Sequence, residues 1–197
     1  MDLPYSFSSR PMKKVLLAIA IIIFLLLSGA YFYIKSTQPT YDGKLELSGL
    51  NGEVVVKYDP HGIPHIYANS RDDAYYALGF VQAQDRLFQM EMIRRIATGT
   101  LAEILGKDFI DTDKLFRTLS IDQKAEEFYQ AFLNKETEYK TAAEAYFAGI
   151  NEFVKTGPTP IEFTIIGIPK NEFSVKDAYN AAGYMAFGFA DGFRVDP

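Results

Sequence analysis

Residues 15–34 form a run of 20 residues without a charged side chain. As a helix, a run of this length crosses the hydrocarbon core of a bilayer, so it divides the chain into a short stub and a larger body. Three basic residues precede the run and only Lys35 follows it directly, which favours an N-terminus in the cytoplasm. We therefore predict a cytoplasmic stub at 1–14, a transmembrane segment at 15–34 and an exported body.

A cleavable signal peptide is the alternative interpretation of this run. Ser28, Gly29 and Ala30 are small residues behind an apolar core, which is the arrangement that signal peptidases cut. Residues 31–34 prolong the apolar run and add aromatic side chains typical of a membrane interface, which favours an uncleaved anchor. The predicted location is therefore membrane-anchored, with the body on the periplasmic or extracellular side.

The body is acidic and contains no thiols. Residues 36–197 carry 16 basic and 24 acidic side chains, a formal net charge of −8. A surface of this sign repels phosphate backbones, so nucleic acid is excluded as a partner. Because the sequence has no cysteine, disulfides and thiolate metal ligands are excluded as well.

The body begins with strand-like patterns. After a linker at 35–42, the runs 45–50 and 53–58 are joined by Asn51-Gly52, a dipeptide typical of a tight hairpin turn. Residues 63–67 have the pattern of a short third strand. The sequence thus predicts a hairpin at the start of a mainly helical α+β region that extends from residue 43 to residue 197.

Helical patterns dominate the rest of the body. Ser70 is a suitable cap for a helix that runs to Thr98 and ends at Gly99. Residues 100–103 have the pattern of a capping box, which predicts a short helix ending at Gly106. Further helices are predicted on both sides of a proline-bounded connector at 160–170, over residues 113–133, 137–155 and 178–190.

Several motifs follow one another through this region. The sequence contains DPHGIPHIYA at 59–68 and LGFVQAQDRLFQME at 78–91, followed by Arg94-Arg95, Gly99, LAE at 101–103 and Gly106. Each motif alone is weak, but the ordered set with its spacing resembles the penicillin acylase family. The resemblance implies an N-terminal nucleophile (Ntn) hydrolase, in which this chain is the mainly helical small-subunit part of an αββα four-layer fold.

The resemblance also implies an activity and its partners. Members of this family hydrolyse linear amide bonds of acylated amines after a precursor has cut itself into a small and a large subunit. The nucleophile is a serine at the new N-terminus of the large subunit, and its α-amine acts as the base. We therefore expect no catalytic residue in this chain, whose Met1 opens a cytoplasmic stub, and two partners: a large subunit from the same precursor and a small-molecule acyl amide.

One substrate-binding pair follows from the resemblance. Met185 and Phe189 match a methionine and an aromatic residue that line the acyl pocket in family members, and their spacing places them on one helical face. Taken as residues alone, such a pair is also typical of a core. Gly188 stands where penicillin G enzymes carry an arginine, so a charge beside the acyl group is missing. With Phe187 and Phe193, the segment predicts an apolar acyl group.

Metal ions have little support in the sequence. No cofactor is required by the implied chemistry, but some family members bind a structural calcium ion through a glutamate that aligns with Val195. The neighbouring Asp196 offers one carboxylate for such a site. His61 and His65 are four residues apart, but the glycine and proline between them prevent the helical presentation of a zinc pair, which favours structural roles.

Asp85 lies within the apolar stripe of the helix predicted from Ser70, and Arg86, Arg94 and Arg95 follow it. A buried carboxylate needs partners, so we interpret these four residues as a structural ion-pair network rather than as an acid and a base. The favoured function is the amide hydrolase described above. The alternative is a non-catalytic, membrane-tethered interaction module that retains the family scaffold.

Overall fold

The computed structural model describes residues 10–192 of the chain. The chain forms two compact units, Met1–Gln38 and Pro39–Pro197, and the boundary between them lies in the predicted linker at 35–42. In the first unit, helix α1 spans Arg10–Ser36, in agreement with the apolar run. Within it, Met12–Ser36 is long and apolar enough to cross a membrane, a criterion of length and composition that a signal sequence also meets.

The second unit starts with a two-stranded antiparallel sheet. Strand β1 spans Val55–Tyr58 and β2 spans Pro64–Tyr67, with Val55 opposite Tyr67. Between them, Asp59 Oδ1 accepts the N–H groups of His61 and Ile63 at 2.8 and 2.9 Å, which closes the turn. The strand predicted at 63–67 is thus confirmed, and its partner is the strand at the end of the run 53–58.

The hairpin predicted at Asn51-Gly52 is wrong. The backbone N–H of Asn51 donates to Asp73 Oδ1 at 2.8 Å, so this dipeptide is held by the following helix and does not turn one strand back on another. Residues 45–50 form no strand, and Leu47 packs against the hydrophobic core. Residues 45–52 therefore form extended chain and turns, and Asn51 is bound to the helix that follows β2.

Two long helices form the centre of the second unit. Helix α2 spans Arg71–Thr98 with Ser70 as its N-cap, and Gly99 ends it in the left-handed region at φ 65°. The capping and both ends agree with the sequence prediction. Helix α6, Glu138–Thr156, packs along α2 and shares its core, whose buried members are Phe80, Ala83, Leu87, Phe147, Ile150, Phe153, Val154, Phe163 and Phe173.

The segment between α2 and α6 differs from the prediction in two places. Helix α3, Ala102–Leu105, receives no side-chain cap from the predicted capping box. Instead, the buried Asp113 carboxylate accepts the N–H groups of Leu101 and Ala102 at 2.8 and 2.9 Å. The single helix predicted over 113–133 is two helices, α4 at Ile110–Thr118 and α5 at Ile121–Leu133, because Ser120 adopts a positive φ of 56°.

The last two helices complete the body. Helix α7, Ile161–Ile166, occupies the predicted connector and buries Phe163 in the core. Helix α8 spans Val175–Gly192 and therefore starts three residues before the predicted helix. At its start, Asp177 Oδ2 accepts hydrogen bonds from the Ser174 N–H and hydroxyl at 2.7 and 3.2 Å. The second unit is thus mainly helical with one small sheet.

Candidate functional site

Helix α8 exposes one face that carries no charge. Met185 and Phe189, the predicted acyl-binding pair, are 56% and 64% exposed. Three small residues follow the same helical stripe towards the start of α8, so we define the apolar face of α8 as Ala178, Ala182, Met185, Ala186 and Phe189, all of which are exposed. Within this chain, Met185 and Phe189 are therefore surface residues and do not belong to its core.

The opposite side of α8 is packed against α4 and α5. Phe187 and Tyr184 contact Phe116 with ring centroids 5.3 and 5.8 Å apart. Asn180 is 1% exposed and donates through Nδ2 to Asp122 Oδ1 at 3.2 Å. Phe187, which the sequence grouped with the acyl pocket, thus faces the body. The helix carries two distinct sides: one fixed by the fold, one presented outward.

Lys176 adds an ionic contact between α8 and α5. Its Nζ lies 3.0 Å from Asp122 Oδ1 and 3.1 Å from Glu126 Oε2. Partial burial disfavours the ammonium charge, but the hydrogen bonds to the two carboxylates outweigh this effect and raise the pKa of Lys176 above its ordinary value. The amino-terminal half of α8 is therefore held by charge as well as by packing.

Glu91 is the carboxylate at the centre of the buried ion-pair network. Its side chain is 2% exposed, and it accepts hydrogen bonds from Arg94 Nη2 and, at 2.7 Å, from Arg95 Nε. Arg95 also lies 3.5 Å from Glu103 Oε2, and Arg94 lies 4.0 Å from Asp177 Oδ2. This network joins α2 to α3 and to the start of α8.

The network confirms the predicted roles of Arg94 and Arg95 but corrects the carboxylate. Asp85 is exposed and Arg86 is exposed, so neither belongs to the buried network. The sequence does contain the signal for Glu91, because Arg94 and Arg95 follow it at i+3 and i+4, the spacings that bring side chains together on a helix. Asp85 lies at the edge of the apolar stripe, and the helical period alone does not separate an edge from a centre.

Asp85 belongs instead to an open groove of about 870 Å³. Tyr41 donates its hydroxyl to Asp85 Oδ1 at 2.9 Å. Burial, together with this hydrogen bond and the charge of Asp85, raises the pKa of Tyr41 to about 12. Charges of both signs line the groove, whose residues are Tyr41, Asp42, Val56, Lys57, Tyr58, Gly62, Asp85 and Arg86.

The two histidines lie at the turn between β1 and β2 and at the start of β2. His61 is exposed in the turn between β1 and β2, and His65 Nε2 lies 3.6 Å from Asp59 Oδ2. The N–H of Ile63, the N–H of His61 and the His65 side chain hold the pKa of Asp59 below its ordinary value. Between residues 10 and 192, no group of three metal-ligating side chains comes together. The calcium prediction concerns Val195 and Asp196, which, like Phe193, lie outside the described residues, and it stays a prediction.

The fold is similar to that of a solved amide-cleaving acylase chain. The thermostable penicillin G acylase from Alcaligenes faecalis superimposes with a TM-score of 0.59 and 28% sequence identity. The match covers 71% of this chain and 75% of the solved chain. The helical body is therefore similar in fold to a chain of a penicillin acylase.

Sequence comparisons lead to the same class. The penicillin amidase family model matches residues 53–197, and the chain belongs to this family. The penicillin acylase 2 proenzyme of a Pseudomonas species is 43% identical over 135 residues, 68% of this chain and 17% of that protein. The acyl-homoserine lactone acylase QuiP of Pseudomonas fluorescens is 36% identical over 120 residues, 61% of this chain and 14% of that protein. The chain thus spans less than a fifth of the length of these curated relatives.

Proposed function

We propose that this chain is the small-subunit, N-terminal part of an enzyme that hydrolyses the amide bonds of acylated amines. Its task is to bind the acyl group with the apolar face of α8, while a large subunit from the same precursor supplies the nucleophile. The observation that carries the proposal is the exposure of Met185 and Phe189 on a helix whose other side is fixed by the body.

The exposed apolar face of α8 costs this chain stability. Burying one large apolar side chain contributes about 1.5–3 kcal/mol, so leaving Met185 and Phe189 in water forfeits a stabilisation that the fold could otherwise use. A face without charge is suited to an apolar acyl group, aromatic or aliphatic, and to the apolar wall of a partner subunit around it. Charged acyl groups would lose their hydration at such a surface without receiving a partner.

The comparisons support the division into subunits. The chain covers 75% of the solved Alcaligenes chain but 17% of the Pseudomonas proenzyme. These shares mean that the solved Alcaligenes chain is much shorter than the Pseudomonas proenzyme, as expected if a precursor is cut into subunits. In this proposal the four-layer αββα fold is completed by the large subunit, which supplies the strands that accompany the small β1–β2 sheet described here.

The proposal includes a membrane anchor. Helix α1 is long and apolar enough to span a bilayer, and Lys13 and Lys14 stand at its amino-terminal end, which favours that end in the cytoplasm. The acyl-binding body then faces the periplasm or the extracellular side. No cofactor is needed, because an activated serine and its own amine perform acyl transfer without one.

The test is to assay the enzyme produced from the complete precursor with phenylacetyl, alkanoyl and aminoacyl amides of one chromogenic amine. We expect hydrolysis of the apolar acyl amides and little hydrolysis of the charged aminoacyl amide. The Phe189→Ala variant should lower kcat/KM for the phenylacetyl amide by roughly ten- to a hundredfold, because the acyl group loses an apolar contact.

Ile165→Ala is the matched control for Phe189→Ala. Ile165 is 76% exposed on α7, so its truncation also removes an exposed apolar side chain but leaves the apolar face of α8 intact. Its kinetics should equal those of the unchanged enzyme. Equal losses in the two variants, or a preference for charged acyl groups, would contradict acyl binding by α8. A processed protein that hydrolyses none of the amides would favour the non-catalytic interaction module.

A further inference from the structure

We propose that Arg94 is a positioning residue for the acyl site: it sets the placement of α8 and thereby the placement of Met185 and Phe189. The inference rests on the proposed function, because it concerns the same apolar face. It assigns a role in substrate selectivity to a side chain of α2 that contacts neither Met185 nor Phe189.

The guanidinium of Arg94 holds the segment that leads into α8. Its Nη1 donates to the Glu172 carbonyl oxygen at 2.8 Å and lies 4.0 Å from Asp177 Oδ2 in the first turn of the helix. Its Cζ lies 4.0 Å from the centre of the Phe173 ring, which is buried in the core. One side chain thus contacts a backbone carbonyl, an aromatic ring and a carboxylate within six consecutive residues.

Glu91 keeps Arg94 in this orientation. Both oxygens of the Glu91 carboxylate are used, one by Arg94 and one by Arg95, and its side chain is 2% exposed. A carboxylate removed from water requires such partners, so Arg94 is not free to rotate away. The planar guanidinium serves Glu91 and the Glu172 carbonyl at the same time, which a lysine ammonium at the end of a flexible stem does less well.

Asn151 of α6 holds the same segment through two hydrogen bonds. Its Oδ1 accepts the Phe173 N–H at 2.8 Å, and its Nδ2 donates to the Phe173 carbonyl oxygen at 2.9 Å. Asn151 therefore fixes one residue of the backbone, whereas Arg94 contacts the residue before it and the first helical turn after it. From this division we infer that Arg94, together with the contacts of Lys176 and Phe187, sets the direction in which α8 leaves the segment.

The length of α8 amplifies a change in this direction. Phe189 lies 12 residues beyond Asp177 in the sequence, which corresponds to about 18 Å along the helix axis. At that distance a tilt of roughly five degrees displaces Phe189 by about 1.5 Å, and a misplacement of about 1 Å in a binding site is enough to slow a reaction substantially. Loss of the Arg94 contacts should therefore affect substrates that reach Phe189 more than substrates that do not.

Arg95 provides a matched control. It binds the same Glu91 carboxylate and its side chain is 15% exposed, against 16% for Arg94. Its other contacts are with the Thr100 carbonyl oxygen at 3.4 Å and with Glu103, at the start of α3. Replacing Arg95 therefore disturbs the same network at the same depth on the side away from α8.

The experiment compares Arg94→Lys with Arg95→Lys in the enzyme processed from the complete precursor. The substrates are the acetyl and phenylacetyl amides of one chromogenic amine, which differ in whether the acyl group can reach Phe189. For Arg94→Lys we expect KM for the phenylacetyl amide to rise about tenfold relative to KM for the acetyl amide. For Arg95→Lys this ratio should stay within about twofold, even if both variants lower Tm alike.

Two further measurements test the placement independently of turnover. Amide hydrogen exchange over residues 174–182 should be faster in Arg94→Lys than in Arg95→Lys. Phe173→Leu removes the ring under Arg94 without changing any charge, and it should raise the same KM ratio. This variant takes the place of Arg94→Lys if Arg94→Lys does not fold. Equal KM ratios in the two arginine variants, or equal exchange, would overturn the inference while the amide hydrolase itself stands. An unchanged enzyme that cleaves neither amide would overturn the proposed function, and the inference with it.

Discussion

Three carboxylates of the body are withdrawn from water, each within reach of several donors: Asp73, Glu91 and Asp113 are 3, 2 and 7% exposed. Asp73 accepts the Asn51 N–H, Glu91 accepts two guanidinium groups, and Asp113 accepts the N–H groups at the start of α3. Asp73 and Asp113 connect their own helices to other segments of the chain, whereas both guanidinium partners of Glu91 lie in its own helix, α2. Because the donors of Asp73 bind its ionised form, the contact that Asp73 makes depends on pH.

The lowered pKa of Asp73 predicts how the stability of the fold changes with pH. The N–H of Asn51, followed by the Ser70 hydroxyl, lowers the pKa of Asp73 below its ordinary value. A carboxyl with a lowered folded-state pKa stabilises the fold above its unfolded pKa of about 3.9, and this contribution is lost as the pH falls through the folded-state value. Asp73→Asn should therefore lose less stability than the unchanged protein between pH 5 and roughly pH 2.

The measurement is the urea midpoint at several pH values over that range. Asp72→Asn is the matched control, because Asp72 precedes Asp73 in the same helical turn and its side chain is 44% exposed. Its acid profile should follow that of the unchanged protein. If Asp73→Asn and the unchanged protein lose stability in parallel as the pH falls, ionisation of Asp73 does not stabilise the fold.

The residue-scale predictions from sequence were good where the signal is local. Ser70 caps α2, Gly99 ends it and the Arg94–Arg95 pair belongs to an ion-pair network. The carboxylate of that network was misassigned to Asp85, which is exposed and binds Tyr41. Tyr41 lies 44 residues earlier in the sequence, and such a partner has no periodic signal in a single sequence.

At the scale of elements, the crossing of α2 and α6 depends on two glycines. A Cβ at Gly79 would overlap the Tyr146 carbonyl oxygen of α6, and a Cβ at Gly149 would overlap the Tyr76 carbonyl oxygen of α2. The two backbones therefore approach each other closely, and the shared core forms around this contact. Since Phe173, two residues before α8, belongs to this core, the crossing also supports the start of the helix that carries the proposed acyl site.

Gly79→Ala should destabilise the protein by about 3 kcal/mol or more, because helix backbones cannot move aside as a flexible side chain can. Gly188→Ala is the contrasting variant: Gly188 lies in α8, and a Cβ there would meet nothing within 4 Å. That variant should raise stability by roughly 0.5–1 kcal/mol through helix propensity. Thermal and urea unfolding measure both changes, and a Gly79→Ala protein as stable as Gly188→Ala would refute the close crossing.

The elements predicted correctly are those whose ends are determined by residues close to them in the sequence. Helices α2 and α6 agree with the sequence pattern to within a residue or two, because caps, glycines and apolar periodicity all indicate the same limits. The Asn51-Gly52 hairpin and the continuous helix over 113–133 were wrong. The first is overruled by a hydrogen bond to Asp73 and the second by the left-handed Ser120, and neither cause has a local pattern.

At the scale of the whole molecule, the described chain exposes apolar surface in both of its units. No residue of α1 in its candidate span is buried, and α8 exposes Met185 and Phe189. In the proposal the first surface belongs to a membrane, and the second belongs to a substrate and a large subunit. The motifs at 59–106 indicated the family, which the family model confirms, whereas the proposed αββα layers depend on strands of the proposed large subunit.

The membrane prediction concerns α1. We expect the complete protein, tagged at its N-terminus, to keep the tag and to remain in the membrane after alkaline carbonate washing. Leu25→Arg should reduce this retention, because a charge near the centre of a span costs about 3 kcal/mol. Thr37→Arg, placed after the span, is the control and should not. Loss of the tag with release of the body would indicate a cleaved signal peptide and contradict the anchor.

Photo-crosslinking of the processed enzyme tests the central claim most directly. An amide whose apolar acyl group ends in a diazirine is bound and irradiated, and the labelled peptides are identified by mass spectrometry. We predict label in the tryptic peptide 177–194, on Met185 or Phe189, with competition by unlabelled phenylacetyl amide. An active enzyme whose label lies entirely on the other chain, or on this chain away from α8, would contradict acyl binding by this helix.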